Sequence, residues 1–357
     1  MSFRFSHPYI WLAFACLTVS SAVRAGVTNP DISVIGQMRT FVTDDPADVN
    51  RDRPQMSFDE TELMFDAALN PFARGTFVFA VADEAIEVEE GFLTLSKGLP
   101  DGLGLKFGKY RVGFGKLNAV HPHAYPFPER FNVLAEYLPG EESYNEIGGQ
   151  VSYRLPLKSD LSSTVSLDVL QGNSFHPDEE DESRLAVLGR WANFFMLNEE
   201  SSMEIGVSGT QGVNNVAAKT TTSVYGVDAK AKLWFNQQNV LALQGEFLAL
   251  DREDAEIDET TGEVSTSHVR PVGGYLFADM TVKKRYNFGA RAEHYQRPVA
   301  DKPWDQAVGV FAGLALMEET TLFRLNWDRF MPDAEDAFNT FTFQAIFSMG
   351  PHKPHQF

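Results

Sequence analysis

One pattern recurs along this chain and restricts what it can become: apolar and polar residues alternate, and the polar set carries full charges of both signs. Ile147, Gly149, Val151, Tyr153 and Leu155 fall on one side of an extended segment, with Gly148, Gln150, Ser152 and Arg154 on the other. Tyr225, Val227, Ala229, Ala231, Leu233 and Phe235 likewise oppose Gly226, Asp228, Lys230 and Lys232. Leu241, Leu243 and Phe247 oppose Gln244 and Glu246, and Phe323, Leu325 and Trp327 oppose Arg324, Asn326 and Asp328. Successive side chains of a strand point to opposite faces, so each segment reads as a strand with one greasy and one ionic face. Few windows show the spacing of an amphipathic helix. Beyond residue 25 nothing approaches the roughly 18 consecutive apolar residues of a membrane helix.

Sixteen such segments can be placed, near 31–42, 57–69, 73–82, 86–97, 103–112, 144–155, 162–173, 184–195, 201–212, 221–235, 239–251, 269–283, 286–297, 306–317, 320–331 and 338–349. Most span 10 to 15 residues, longer than the about 5 to 6 of soluble sheets and matching the about 9 to 11 that a tilted membrane strand needs. The connections alternate too. Asn70–Phe72, Gly98–Gly102, Pro156–Leu161, Asn198–Glu200, Asn236–Gln238, Lys284–Arg285 and Glu318–Glu319 are tight, whereas Asp44–Arg53, Ser174–Ser183 and Arg252–His268 are long and rich in acid. Short turns on one rim and long loops on the other mark an outer-membrane barrel with periplasmic termini. Hydrocarbon offers no water to an unpaired backbone group, so the sheet must close. The expected fold is all-β: a transmembrane antiparallel barrel of about sixteen strands, within about 14 to 18, with one long constriction loop. The competing reading, a soluble sandwich or propeller, predicts shorter strands and no alternation of loop length.

Residues 1–25 form a separate unit: Arg4 and His7 precede an apolar run from Tyr9 to Val19, and Val23, Arg24 and Ala25 offer a cleavage site. That is the pattern of a secretory signal peptide, leaving 26–357 as a single barrel domain. Cys16 permits a lipoprotein reading, which its preceding residues do not favour. On the main reading the mature protein has no cysteine. A net charge of −19 gives no basic face for phosphates, which excludes nucleic acid. No G-x-S-x-G elbow, H-E-x-x-H, P-loop or dinucleotide fingerprint occurs, and no enzyme is expected.

The longest connection, 113–143, holds His121, His123, Tyr125, Glu129 and Arg130, with Pro122, Pro126, Pro128, Phe131, Val133 and Leu134. It is too apolar to float in water, so it folds into the lumen and narrows it. His121 and His123, with a nearby carboxylate such as Glu129, are candidate ligands for a divalent cation, since imidazole and carboxylate suit zinc. A bare His-x-His is a weak signal, and the plainer reading is that they are ordinary polar residues of an ordered loop. The inward charges expected to line the pore are Glu60, Glu62, Lys106, Arg154, Asp168, Arg190, Asp228, Lys230, Lys232, Glu246, Arg291, Glu293, Arg324 and Asp328. Such a set biases ion passage, and the net charge suggests a modest preference for cations. The acidic stretches Asp178–Glu182 and Asp251–Glu263 could bind a divalent cation bridging to lipopolysaccharide. No cofactor is expected otherwise.

The last strand sets Phe341, Phe343, Ala345 and Phe347 outward and the chain ends in Phe357. With the features above, the chain resembles Gram-negative outer-membrane barrels of the porin class. Gly350, Pro351 and Pro354 interrupt the usual run to the terminal aromatic. More narrowly, Asn29 to Ser33, His121 to Phe127 and Ser348 to His352 are similar to a largely uncharacterised outer-membrane family sometimes named as zinc-regulated receptors. The resemblance implies a porin-type channel for passive diffusion of small hydrophilic solutes or ions, with a barrel for divalent metal (zinc) uptake and a non-transporting surface barrel as alternatives. It implies outer-membrane lipid, lipopolysaccharide and the barrel-assembly machinery as partners, and a homotrimer as the assembly to test. An energy-coupled receptor, with about 22 strands and a plug domain, does not fit this length.

Overall fold

The computed structural model describes residues 30–82, 85–140, 142–157, 161–177, 184–257, 264–316, 320–333 and 335–350. The signal peptide expected over 1–25, the tip Asp178–Glu182 and the terminal Phe357 lie outside them. The strands are β1 (Asp31–Thr43), β2 (Gln55–Ala68), β3 (Ala73–Ala82), β4 (Ala85–Leu95), β5 (Leu103–Arg111), β6 (Asn145–Leu155), β7 (Leu161–Leu170) and β8 (Ala186–Met196). They continue as β9 (Ser202–Asn215), β10 (Thr220–Asn236), β11 (Asn239–Ile257), β12 (Val264–Val269), β13 (Val272–Val282), β14 (Tyr286–Gln296), β15 (Trp304–Ala315), β16 (Thr321–Met331) and β17 (Phe338–Met349).

Apart from β12 and β13, neighbours in sequence pair antiparallel all the way round, and β1 closes on β17 from Val34↔Met349 to Thr43↔Thr340. The wall has sixteen positions, because β12 and β13 occupy one of them: both pair with β11, which is 19 residues long. Pro271 has no N–H for the ladder and separates the two. This corrects the sequence reading of 252–268 as an irregular loop. The hairpin of β11 and β12 continues the wall outward, joined across its base by the Asp251–Arg270 ion pair at 3.0 Å.

At three of the short turns, asparagine makes the turn. Asn70 Oδ1 accepts the N–H groups of Phe72 and Ala73, Asn198 Oδ1 those of Glu200 and Ser201, and Asn236 Oδ1 those of Gln238 and Asn239, all at 2.7–3.0 Å. The side chain imitates a backbone turn and fixes each hairpin.

Burial is the inverse of a soluble protein's. Leu276 and Leu325 on the outer face are each 63% exposed, whereas Asp168 and Asp328 on the inner face are 0% and 2% exposed. Val165, Leu167, Val207, Val227, Phe247, Val310, Phe341 and Phe343 continue the outer apolar belt around the circumference. Such a belt is stable only against lipid, so the wall crosses a membrane with strands. No helix among the described residues is long and apolar enough to do so.

β5 carries one tight approach. Gly108 has φ of 132°, and a Cβ there would stand 2.1 Å from the Gly91 carbonyl oxygen on β4. Neither the dihedral nor the contact tolerates a side chain. We expect Gly108→Ala to reduce the fraction of chain reaching the heat-modifiable folded form, read on an unboiled gel; wild-type yield would refute the close packing of β4 on β5.

Candidate functional site

The 113–143 segment lies inside the barrel. Its neck is closed by Val112 N–H donating to Tyr144 O at 2.9 Å. Asn118 staples the neck: its Nδ2 donates to Val112 O at 2.8 Å and Tyr144 O at 3.0 Å, and its Oδ1 accepts from Tyr144 N–H and Arg130 Nη2. Nothing in the alternation pattern singles Asn118 out, because its partners come from both ends of the loop.

Wall residues hold the loop in place. Glu246 on β11 accepts the backbone N–H groups of Lys116 and Leu117 at 2.8 and 2.9 Å and the Tyr275 hydroxyl at 2.6 Å. Gly115 makes room for it, since a Cβ there would lie 1.9 Å from Glu246 Oε2. A short helix α1 (Asn132–Tyr137) has no side-chain cap of its own. Glu293 on β14 supplies one, accepting Asn132 Nδ2 at 3.0 Å and Val133 N–H at 3.1 Å. Arg291 donates to Glu129 O at 2.5 Å and to Asp328 at 2.8 Å, with its guanidinium 4.8 Å from the Phe127 ring centre. Arg324 reaches His123 O at 3.4 Å.

These anchors surround an apolar core inside the lumen. Phe127, Phe131, Val133, Leu134 and Tyr137 from the loop pack on Tyr275, Phe277, Tyr295 and Phe311 of β13–β15, Phe131 stacking on Tyr275 at 4.0 Å. Tyr125 lies beside Phe127, with its hydroxyl 3.4 Å from Leu117 O. The loop therefore crosses the lumen from β2 and β4 to β11 and β14. Among the described residues, clefts flank it at the long-loop mouth, including one of about 450 Å³ beside Glu136, Arg297 and Asp305 and one of about 360 Å³ beside Glu87, Lys109 and Glu142.

The inward charges divide by task. Glu246, Arg291, Glu293 and Arg324 position the loop, and Asp328 holds Arg291. Asp168 accepts from Tyr110 at 2.8 Å and from Gln150 at 3.0 Å, and Arg190 pairs with Asp228 at 2.6 Å. Lys106, whose ammonium is 4.0 Å from the Phe92 ring centre, stays half-buried with Lys230 and Lys232 on the short-turn half of the lumen. Arg154 is exposed at that rim.

The carboxylates meet the histidines on the opposite wall. His121 Nε2 lies 2.7 Å from Glu90 Oε1, and its Nδ1 lies 2.9 Å from Glu62 Oε2 and 3.5 Å from Glu89 Oε2. His123 Nδ1 is 3.3 Å from the same Glu62 oxygen. Glu129, which the sequence suggested as the carboxylate near this pair, is instead drawn off by Arg39, itself bonded to Asp59 at 2.6 Å. Burial pushes the His121 imidazole down, but Glu62 and its neighbours more than reverse this and hold its pKa well above the ordinary 6.5.

Two register shifts explain why so many acids converge. In the β3–β4 ladder Val78 pairs with Glu90 and Phe79 with Val88, so Glu89 is the extra residue of a β-bulge. Strict alternation would send Glu89 or Glu90 toward lipid, yet both are buried on the lumen side. The β1–β2 ladder shifts likewise between Gly36 and Met38, opposite Asp59 and Glu60.

No family model matches the chain. An uncharacterized protein of Aquifex aeolicus is 26% identical over 332 residues, 83% of this chain and 69% of that one. Among solved structures, the chain is similar to the anion-selective porin from Comamonas acidovorans, with a TM-score of 0.62, 10% identity, and 90% of this chain and 100% of that one covered. It is also similar to a trimer form of the outer membrane protein OmpT of Vibrio cholerae, with a TM-score of 0.55, 13% identity and 90% and 99% covered. The fold is that of a sixteen-strand porin barrel, and its apolar outer face belongs to the bacterial outer membrane.

Proposed function

We propose that the protein is a channel for passive diffusion of small hydrophilic solutes and ions across the outer membrane, selecting chiefly by size. The observation that carries this reading is a closed sixteen-position barrel with an ionic inner face and a loop anchored across it. A barrel of this strand number encloses water rather than a packed core. Here the loop fills part of that space and leaves the rest to polar side chains. Gln150, Ser152, Thr164, Ser166, Lys230 and Lys232 keep partial exposure along β6, β7 and β10.

Charge selectivity is weaker than the overall −19 suggests. Many inner acids are engaged by partners, and partly exposed lysines line the short-turn half. Reconstituted in a planar bilayer, the protein should give discrete open steps, and liposomes should swell in small sugars but not in large ones. Electrical silence together with absent swelling would leave a surface or structural barrel instead. The trimeric form of OmpT supports a trimer here, and native mass of the same preparation at one barrel would rule it out.

A further inference from the structure

Negative charge is in surplus where the loop meets β2 and β4. Glu60, Glu62, Glu89 and Glu90 gather there, Arg111 pairs with Glu89, and Lys106 stands farther off between Glu90 and Asp168. Into this surplus the loop lowers two imidazoles. Both Nδ1 atoms face one Glu62 oxygen, and one donor atom each from Glu62, His121 and His123 lie within 4.8 Å of one another. Glu62 is 2% exposed, and neither of its carboxylate oxygens accepts a well-formed hydrogen bond. A buried carboxylate so placed needs a positive partner, either a protonated imidazole or a cation shared with both rings.

We propose that Glu62, His121 and His123 bind one divalent transition-metal cation of the zinc class, with Glu89, which faces His121 Nδ1, as the fourth donor and Glu90 holding His121 Nε2 behind the ring. Two imidazoles with carboxylate suit such an ion, whereas calcium takes about 6 to 8 oxygens and magnesium keeps its waters. Tetrahedral zinc–ligand bonds place donors about 3.4 Å apart, so side-chain adjustment alone closes the site. Pro122 stands at the first position of a 3-10 turn between the histidines and fixes their spacing. Supporting contacts are in place: Arg111 holds Glu89, and Arg324 holds the His123 carbonyl. Ligands from the loop and from β2 mean that the ion clamps the constriction to the wall. A tightly held ion does not permeate quickly, so it is a resident of the pore and not its cargo. The inference goes beyond the diffusion reading and does not require it.

The test uses the full barrel in detergent, stripped with chelator and titrated with Zn²⁺ in excess Ca²⁺. One zinc per barrel is expected, with affinity lowered roughly 100-fold or more in Glu62→Gln and in the His121→Ala, His123→Ala double variant. Heat-modifiable migration checks that each variant is folded. Co²⁺ in the wild type should give the intense visible absorption of four-coordinate geometry, which needs no variant. Unchanged zinc affinity in the folded variants, equal competition by calcium, or weak six-coordinate cobalt spectra would each overturn the site. Conductance of the stripped protein is read separately, so loss of the metal proposal leaves the channel reading standing, and the reverse.

Discussion

Excising Gly113–Ser143 and joining Val112 to Tyr144 through a short glycine-rich turn should raise single-channel conductance on the order of threefold or more. The chain ends left by the cut are already bridged, Val112 N–H donating to Tyr144 O at 2.9 Å, and Arg111 pairs with Asn145 just below. The wall closes through β1 and β17 without the loop's help, so barrel closure survives. What disappears is the body spanning the lumen from Glu62 and Glu90 on one side to Glu246 and Glu293 on the other. Resistance concentrates at the narrowest section, and that section is made by the loop. The cut also leaves Tyr275, Phe277, Tyr295 and Phe311 facing water and Glu246 without its backbone donors. The variant should therefore unfold at lower temperature while carrying more current. Wild-type conductance in the folded variant would mean that the loop does not form the constriction.

Much of the wall was legible because a strand's period of two is read directly from the chain, and the outward Val227 and inward Asp228 differ as strongly in chemistry as in surroundings. The lumen was less so. Glu62 and His121 are 59 residues apart, and no local spacing connects them. Glu129 is near in sequence and was the natural guess, yet Arg39 from β1 takes it. Glu89 and Glu90 were invisible for a different reason: a bulge breaks the alternation from which inward residues are inferred, so two consecutive acids face the lumen together. The extension of β11 into a hairpin with β12 was hidden by its acidity, since Glu253, Asp254 and Glu256 read as loop in any scale of strand preference. The charges expected merely to line water proved divided. Glu246 and Glu293 satisfy backbone N–H groups of an inserted segment, a role set by long-range geometry and not by their place in the strand.

The membrane wall itself is tested by a pair of substitutions to the same residue on opposite faces. Leu276 sits midway along β13 on the outer surface, 63% exposed, directly between Gly245 and Ala292 in the two ladders. In lipid, Leu276→Arg should cost about 2–4 kcal/mol, the penalty for a charge near the bilayer midplane. Gln150 lies midway along β6 on the inner face, where its amide donates to Asp168 at 3.0 Å. An arginine there finds water and the Asp168 carboxylate, with Lys106 opposite it across the β5–β6 ladder, so Gln150→Arg should change stability by no more than about 1 kcal/mol. Urea unfolding of both variants from phospholipid vesicles measures the difference. A soluble β-protein would reverse the ranking, tolerating arginine at an exposed leucine and rejecting it at an interior glutamine. If Leu276→Arg were as stable as wild type, the apolar belt would not face lipid, and the transmembrane reading of every strand would fall with it.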